Sequence, residues 1–135
     1  MRFVDTNVLF YSLGLNLGEE EKRRRAIEIL NGQDCCLSVQ VLQEFYNQAT
    51  RPSRPTPIPH AIAVSLIRDW CRFPVQEMTL DVMNAAFETR YRYQISYWDA
   101  AVIEAARAMG CDTVLSEDMQ HGQDYGGVRV VDPFR

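Results

Sequence analysis

The sequence predicts an α/β protein, a three-layer α/β/α sandwich around a mostly parallel central sheet, and three observations carry that expectation. Short apolar runs alternate with longer segments of helical periodicity, the pattern of strands joined by crossover helices. The runs lack the in–out alternation of a half-exposed sheet, as strands covered on both faces must. The 135 residues are 47% hydrophobic and 24% charged, a globular composition at a length that buries about two-thirds of the extended-chain surface in one core. A single domain over residues 1–135 is therefore expected.

The elements follow in order. Phe3-Val4 is a short apolar strand ending in Asp5-Thr6-Asn7, and residues 8–13 read as a short helix closed by Gly14. Residues 19–30 form a helix with Ala26, Ile27 and Leu30 on one face and Gly32 as its stop. Residues 35–37 are a compact buried strand. Ser38 then caps a helix over residues 39–50 whose apolar stripe is Val41, Leu42, Phe45 and Ala49. The RPSRPTPIP segment, residues 51–59, is rich in proline and must be an extended loop. A helix over 60–72, a strand over 75–78 and a helix over 80–93 come next. Ser96-Tyr97-Trp98-Asp99 opens an Ala-rich helix that stops at Met109-Gly110. Residues 113–115 are a buried strand leading to Ser116-Glu117-Asp118, and residues 128–131 are the last strand.

Charge narrows the function classes. Fourteen Lys+Arg against 18 Asp+Glu leave a net charge of −4, so binding of nucleic acid by bulk positive charge is excluded and any such role needs a local site. No apolar run reaches the ~20 residues of a membrane span, and Asp5 interrupts the place where a signal peptide is apolar. A cytoplasmic protein with no membrane partner is expected. The four cysteines, Cys35, Cys36, Cys71 and Cys111, form no CxxC pair and read as reduced, mostly buried, small hydrophobes.

Open parallel sheets bind ligands outside the carboxyl ends of their strands, and four acids fall where that rule points. Asp5 ends the first strand, Glu44 lies six residues past Ser38, and Asp118 follows strand 113–115. Asp99 lies in the first turn of its helix. Four like charges converging on one spot repel, and a divalent cation removes the conflict. All-oxygen ligation favours Mg2+ or Mn2+ over zinc, and Mg2+ chemistry points to water attacking a phosphodiester. Each acid also has a plainer explanation: an Asx turn for Asp5, a capping box for Asp99 three residues after Ser96, a solvated helix acid for Glu44, a polar turn for Asp118. The four in this order on this architecture outweigh those explanations.

The same residues carry a resemblance. FVDTNVLFY, SVQVLQEFYNQ, SYWDAAVIEAA, VLSEDMQHG and a closing GVRVVDPF resemble, over nearly the whole chain, the PIN domain family and within it the VapC-type toxins of bacterial toxin–antitoxin pairs. The resemblance implies that Asp5, Glu44, Asp99 and Asp118 form an acidic metal-binding quartet that is also catalytic. It implies that Thr6, Asn7 and Ser116 are the small polar residues that position ligands or water. It further implies a Mg2+- or Mn2+-dependent endoribonuclease with an RNA substrate, a cognate antitoxin and a homodimeric state. Glu117, adjacent to Asp118, cannot point the same way from an extended segment and is assigned to an outer position or to solvent.

Other features are weighed against structural roles. Glu19, Glu20 and Glu21 stand four residues before Arg23, Arg24 and Arg25, which predicts a solvated helix laced by i,i+4 pairs. Arg51 and Arg54, or Arg90 and Arg92 beside Tyr91 and Tyr93, are better RNA contacts, since arginine holds phosphate while an aromatic ring stacks a base. His60 starts a helix, and His121 reads as a loop residue. Trp70, Phe73, Phe87 and the methionines are assigned to packing, while Tyr97 and Trp98 are suited to a partner or a second copy. Two other functions fit the same residues: a non-catalytic PIN scaffold that binds RNA or protein, and a Mg-dependent nuclease or phosphoesterase acting on DNA or small phosphate esters.

Overall fold

The computed structural model describes residues 1–135. Five parallel strands, β1 (Arg2–Val4), β2 (Cys35–Ser38), β3 (Val75–Gln76), β4 (Thr113–Leu115) and β5 (Arg129–Val131), form one sheet in the order β3-β2-β1-β4-β5. Phe3, Val4, Cys36, Leu37 and Val114 are fully or almost fully buried, as strands covered on both faces must be. The helices are α1 (Thr6–Ser12), α2 (Glu20–Leu30), α3 (Val39–Thr50), α4 (His60–Trp70), α5 (Leu80–Tyr93) and α6 (Tyr97–Ala108). They form two groups, one linking α1, α2, α3 and α4, the other an α5–α6 pair whose α6 packs on β2, β3 and β4. This is the expected α/β/α arrangement, and no helix is long and apolar enough to cross a membrane.

The chain runs from the central β1 outward to β2 and β3, then returns to the other side of β1 for β4 and β5. The reversal lies between β1 and β4, and in such sheets a crevice opens there at the carboxyl ends of the strands. The register carries Asp5 directly to that edge: its N–H donates to Leu115 O at 3.1 Å, one step past the Val4–Leu115 pair.

Several local expectations are corrected. Helix α1 begins at Thr6 rather than residue 8, because the Asp5 side chain itself caps it, accepting from Thr6 N at 2.8 Å. Strand β3 spans two residues instead of four, since only Val75 and Gln76 find partners, on Leu37 and Ser38. Helix α4 stops at Trp70. The i,i+4 pairs of α2 do not form: Arg23 pairs with Glu20 at 3.1 Å and Arg25 with Glu28 at 3.5 Å, both i,i+3, while Lys22 reaches out of the helix altogether. Phe87 and Met78 are exposed rather than packed, as is Cys71, whereas Trp70, Phe73 and Met119 are buried. Phe87 leans on Tyr97 of α6, 5.5 Å between ring centroids, but half of its surface stays open on the outer side of α5.

Candidate functional site

Asp5, Glu44, Asp99 and Asp118 line one cavity of about 340 Å³ at the carboxyl edge of the sheet, together with Thr6, Asn7 and Glu117. Each acid arrives from a different element. Asp5 follows β1, Glu44 is in the second turn of α3, Asp99 in the first turn of α6, and Asp118 in the turn after β4. Two N-caps fix the helices that carry Glu44 and Asp99: Ser38 Oγ accepts from Val41 N at 3.2 Å, and Ser96 Oγ accepts from Asp99 N at 3.0 Å. The capping role weighed for Asp99 is thus present, through its backbone, and leaves its carboxylate on the cavity wall.

Neutral donors hold the carboxylates. Ser116 Oγ, fully buried beneath the cavity, donates to Asp5 Oδ2 at 2.7 Å. Asn7 Nδ2 donates to Ser116 Oγ at 3.1 Å and Asp118 Oδ2 at 3.2 Å, and Asp118 N donates to Ser116 Oγ at 3.1 Å. Thr6 Oγ1 donates to Glu44 Oε2 at 3.1 Å. None of the four acids makes a salt bridge; the seven in the molecule all lie elsewhere.

The electrostatics follow from that arrangement. Burial pushes the Asp5 carboxyl up to about 6, and the charges of Glu44 and Asp118 push the same way, against the opposing hydrogen bonds from Ser116 and Thr6. Asp99 is also raised, by burial first and then by Glu44 and Asp118, with Ser96 opposing. Protonation would relieve the repulsion, as would a bound cation.

The donor set fits such a cation. It is all oxygen, with no cysteine or histidine on the cavity wall, which suits Mg2+ or Mn2+ and excludes a thiolate zinc site. As the side chains stand, no three acids close on one ion. Mg2+ retains several waters and is ordinarily held by one or two carboxylates, so a full protein cage is not required.

Sequence reasoning missed three contributors. Gln40, buried on α3, donates from Nε2 to Glu44 Oε1 at 3.1 Å and to Trp98 O at 3.2 Å, tying α3 to α6 across the rim, while its Oε1 is buried without a partner. Tyr11 and Lys22 were also missed: Tyr11 OH donates to Glu117 Oε1, and Lys22 Nζ donates to Glu117 Oε2 at 3.0 Å and Tyr11 OH at 3.2 Å. Glu117 lines the cavity but is turned to this cation. The Gln40–Trp98, Lys22–Glu117 and Tyr11–Glu117 contacts join residues 58 to 106 positions apart, beyond the reach of any local pattern. The i,i+4 spacing of Gln40 and Glu44 was the one available signal.

Of the other residues singled out, Arg54, Trp98 and Glu19 line the cavity, and the rest lie outside it. Arg54 lines the cavity, whereas Arg51, Arg90 and Arg92 do not. His60 Nδ1 bonds Tyr46 OH at 2.8 Å, and His121 Nδ1 accepts from Asp132 N at 2.9 Å, so both histidines have structural partners. Trp98 is exposed and lines the cavity beside Asp99.

A five-stranded parallel sheet with acids from four elements around its switch point defines an α/β protein with an anionic site. The chain matches the PIN domain over residues 2–123 and belongs to that family. Among solved structures it is similar to Mycobacterium tuberculosis VapC20, described as a sarcin-ricin loop cleaving toxin, with 24% identity over 87% of this chain and 92% of that chain and a TM-score of 0.65. It is also similar to a toxin–antitoxin complex from Klebsiella pneumoniae, with 18% identity, 98% of each chain covered and a TM-score of 0.69. DNA-bound VapBC from Salmonella typhimurium gives 16% identity over 98% of this chain and 97% of that chain, with a TM-score of 0.67. At these identities the likeness is one of fold. No curated protein matches the chain by sequence.

Proposed function

We propose that this chain is a metal-dependent endoribonuclease, the toxin of a toxin–antitoxin pair, built as a single PIN domain over residues 1–135 and working in the cytoplasm. The observation that carries the reading is the unneutralised acid cluster: four carboxylates face one cavity, held by Ser116, Asn7 and Thr6, and none has a cationic partner. A cluster left in that state is built for a cation from outside. VapC20, described as cleaving an RNA loop, and toxin–antitoxin complexes of the same fold support the substrate class and the antitoxin partner.

Asp5, Glu44, Asp99 and Asp118 would hold Mg2+ or Mn2+, which supplies charge neutralisation at the phosphate and a more acidic water. The chain's own residues do the rest. Ser116 and Asn7 fix the directions of Asp5 and Asp118, while Thr6 and Gln40 fix that of Glu44. Carboxylate oxygens not used on the ion accept the proton of the attacking water as its oxygen bonds to phosphorus, the bond from phosphorus to the 3′ oxygen breaks, and that oxygen takes up a proton from solvent. The products are a 5′-phosphate and a 3′-hydroxyl, with no part for the ribose 2′ oxygen. A second copy completing a homodimer, and an antitoxin segment offering Lys or Arg to the acids, complete the reading.

The test is cleavage of structured RNA by the purified protein with Mg2+ or Mn2+. Activity disappears in EDTA and in Asp5→Asn, double-stranded DNA stays intact, and the co-expressed neighbouring small protein blocks the reaction. Full activity in EDTA, or a 2′,3′-cyclic phosphate product, overturns the mechanism.

A further inference from the structure

We propose that Arg54 is the phosphate anchor of this cavity, a guanidinium preset on the Phe10 ring that holds a backbone phosphate of single-stranded RNA beside the acid cluster. The proposal rests on the nuclease reading and adds the residue that lets a polyanion settle there.

The need for such a residue follows from the wall itself. Six carboxylates line the cavity and Arg54 is its one cation. A divalent ion offsets two of those charges, so a nucleic-acid strand still meets a negative surface unless a fixed cation receives it.

Arg54 has the geometry for that role. Its Cζ lies 4.6 Å from the centroid of Phe10. Phe10 packs tilted on Phe45 at 4.9 Å between centroids, and Phe45 edge-on against the buried Trp70 at 4.8 Å, so the ring under the guanidinium is held by two further aromatic rings rooted in the core. Stacking fixes the plane of an arginine and leaves its edge free for bidentate contact. Arg54 is half-buried while residues 51–53 and 55–57 of its loop are exposed. The loop is stiffened by Pro52, Pro55 and Pro57 and pinned by buried Ile58, whose N–H donates to Ala49 O at 2.8 Å.

Its hydrogen-bonding capacity is almost unused. The side chain makes one long contact, Nη1 to Gln48 O at 3.5 Å, and no salt bridge although acids share its cavity. A guanidinium carries five N–H donors, and most of these point to no protein acceptor. Planar, stacked and unpaired beside a cluster suited to phosphodiester chemistry, it matches the bidentate recognition of a phosphate.

The test is binding, read apart from catalysis. Full-length Asp5→Asn protein with Mg2+ is titrated onto a fluorescein-labelled single-stranded 12-mer RNA of mixed sequence across a range of NaCl concentrations. Adding Arg54→Gln raises Kd about tenfold and lowers the slope of log K against log salt by about 0.7, the loss of one phosphate contact on a single strand. Arg54→Lys keeps the slope but binds several-fold more weakly, because the stacked fork is gone. In the cleaving protein, Arg54→Gln raises KM more than it lowers kcat. An unchanged Kd and slope in Arg54→Gln overturns the proposal, as does an Arg54→Lys protein that binds like the parent. If Arg54→Gln fails to fold, the Arg54→Lys comparison decides alone. The nuclease reading fails separately, if protein with Arg54 intact leaves RNA uncut in Mn2+.

Discussion

Replacing Asp5 by Asn should stabilise the metal-free protein while abolishing its activity, and the size of the effect follows from the site. Burial and the neighbouring acids push Asp5 up to about 6 from an ordinary 3.8. Each tenfold change in proton affinity is 1.36 kcal/mol, so the ionised carboxylate costs the folded state about 3 kcal/mol. Because the folded value is the higher one, the native state binds the proton more tightly. The cost is absent below about pH 4, grows between 4 and 6, and is full above 6. Asparagine carries no charge and removes it. The substitution also has a cost. Asn Oδ1 keeps the bond from Thr6 N, but its amide now faces Ser116 Oγ, which already accepts from Asn7 and Asp118 N. One hydrogen bond is lost there, worth about 1 kcal/mol.

The net is a gain of about 2 kcal/mol above pH 6, or roughly 6–10 °C in melting temperature for a chain of this size, and a loss of about 1 kcal/mol below pH 4. The assay is thermal unfolding of both proteins in EDTA from pH 4 to 8. The difference between the two melting temperatures should change sign across that range. At pH 8, Mg2+ should raise the wild-type midpoint and leave the variant's nearly unmoved, since only a native-state ligand stabilises. A difference that is flat with pH would refute the reasoning, because the charge of Asp5 would then carry no strain.

Asn7→Ala removes the donor shared by Ser116 and Asp118 and should lower cleavage about 10- to 100-fold, the usual cost of losing a residue that orients ligands; circular dichroism should show an unchanged fold. Gln40→Leu frees Glu44 Oε1 and removes a buried unpaired oxygen, so activity should fall while the urea midpoint stays level or rises. Lys22→Met breaks a half-exposed ion pair with Glu117 and should cost less than about 1 kcal/mol in chemical denaturation. Ca2+ in place of Mg2+ should support RNA binding but poor cleavage, since its looser coordination places water badly; equal rates with the two ions in a gel assay would count against an octahedral site.

The parts of this site that could be read from the sequence are those encoded locally. A two-residue apolar run before Asp5, the N-cap Ser38, and the Ser96–Asp99 spacing each signal an element boundary, and a parallel sheet gathers boundaries of one kind at one edge. Helix α5 was bounded correctly at both ends because Thr79 caps it and Gln94, at φ 56°, ends it in a left-handed turn. What escaped is long-range. Lys22 looked like one of a run of solvated helix charges, and only the packing of α1 against α2 brings it to Glu117. The Asp5 turn was legible as a chain break but not as the cap of α1, since a single carboxylate performs both tasks through different oxygens.

That double use exposes the logic of the charge distribution. Asp34 is paired with Arg2, the buried Glu104 with Arg107, and Glu117 with Lys22. The acids of the cluster receive only hydroxyl, amide and backbone N–H donors. A lysine or arginine among them would lower the repulsion and stabilise the protein, but on the proposed nuclease reading it would occupy the position the metal ion needs. Neutral donors fix the directions of Asp5, Glu44 and Asp118 and leave their charges uncancelled, so on that reading the strain on Asp5 is the cost of keeping the site open to a cation. Glu117 makes the contrast internal to one segment. It is the residue beside Asp118, it lines the same cavity, and it alone has been given a cation, which turns a potential fifth ligand into a brace between α2 and the turn after β4.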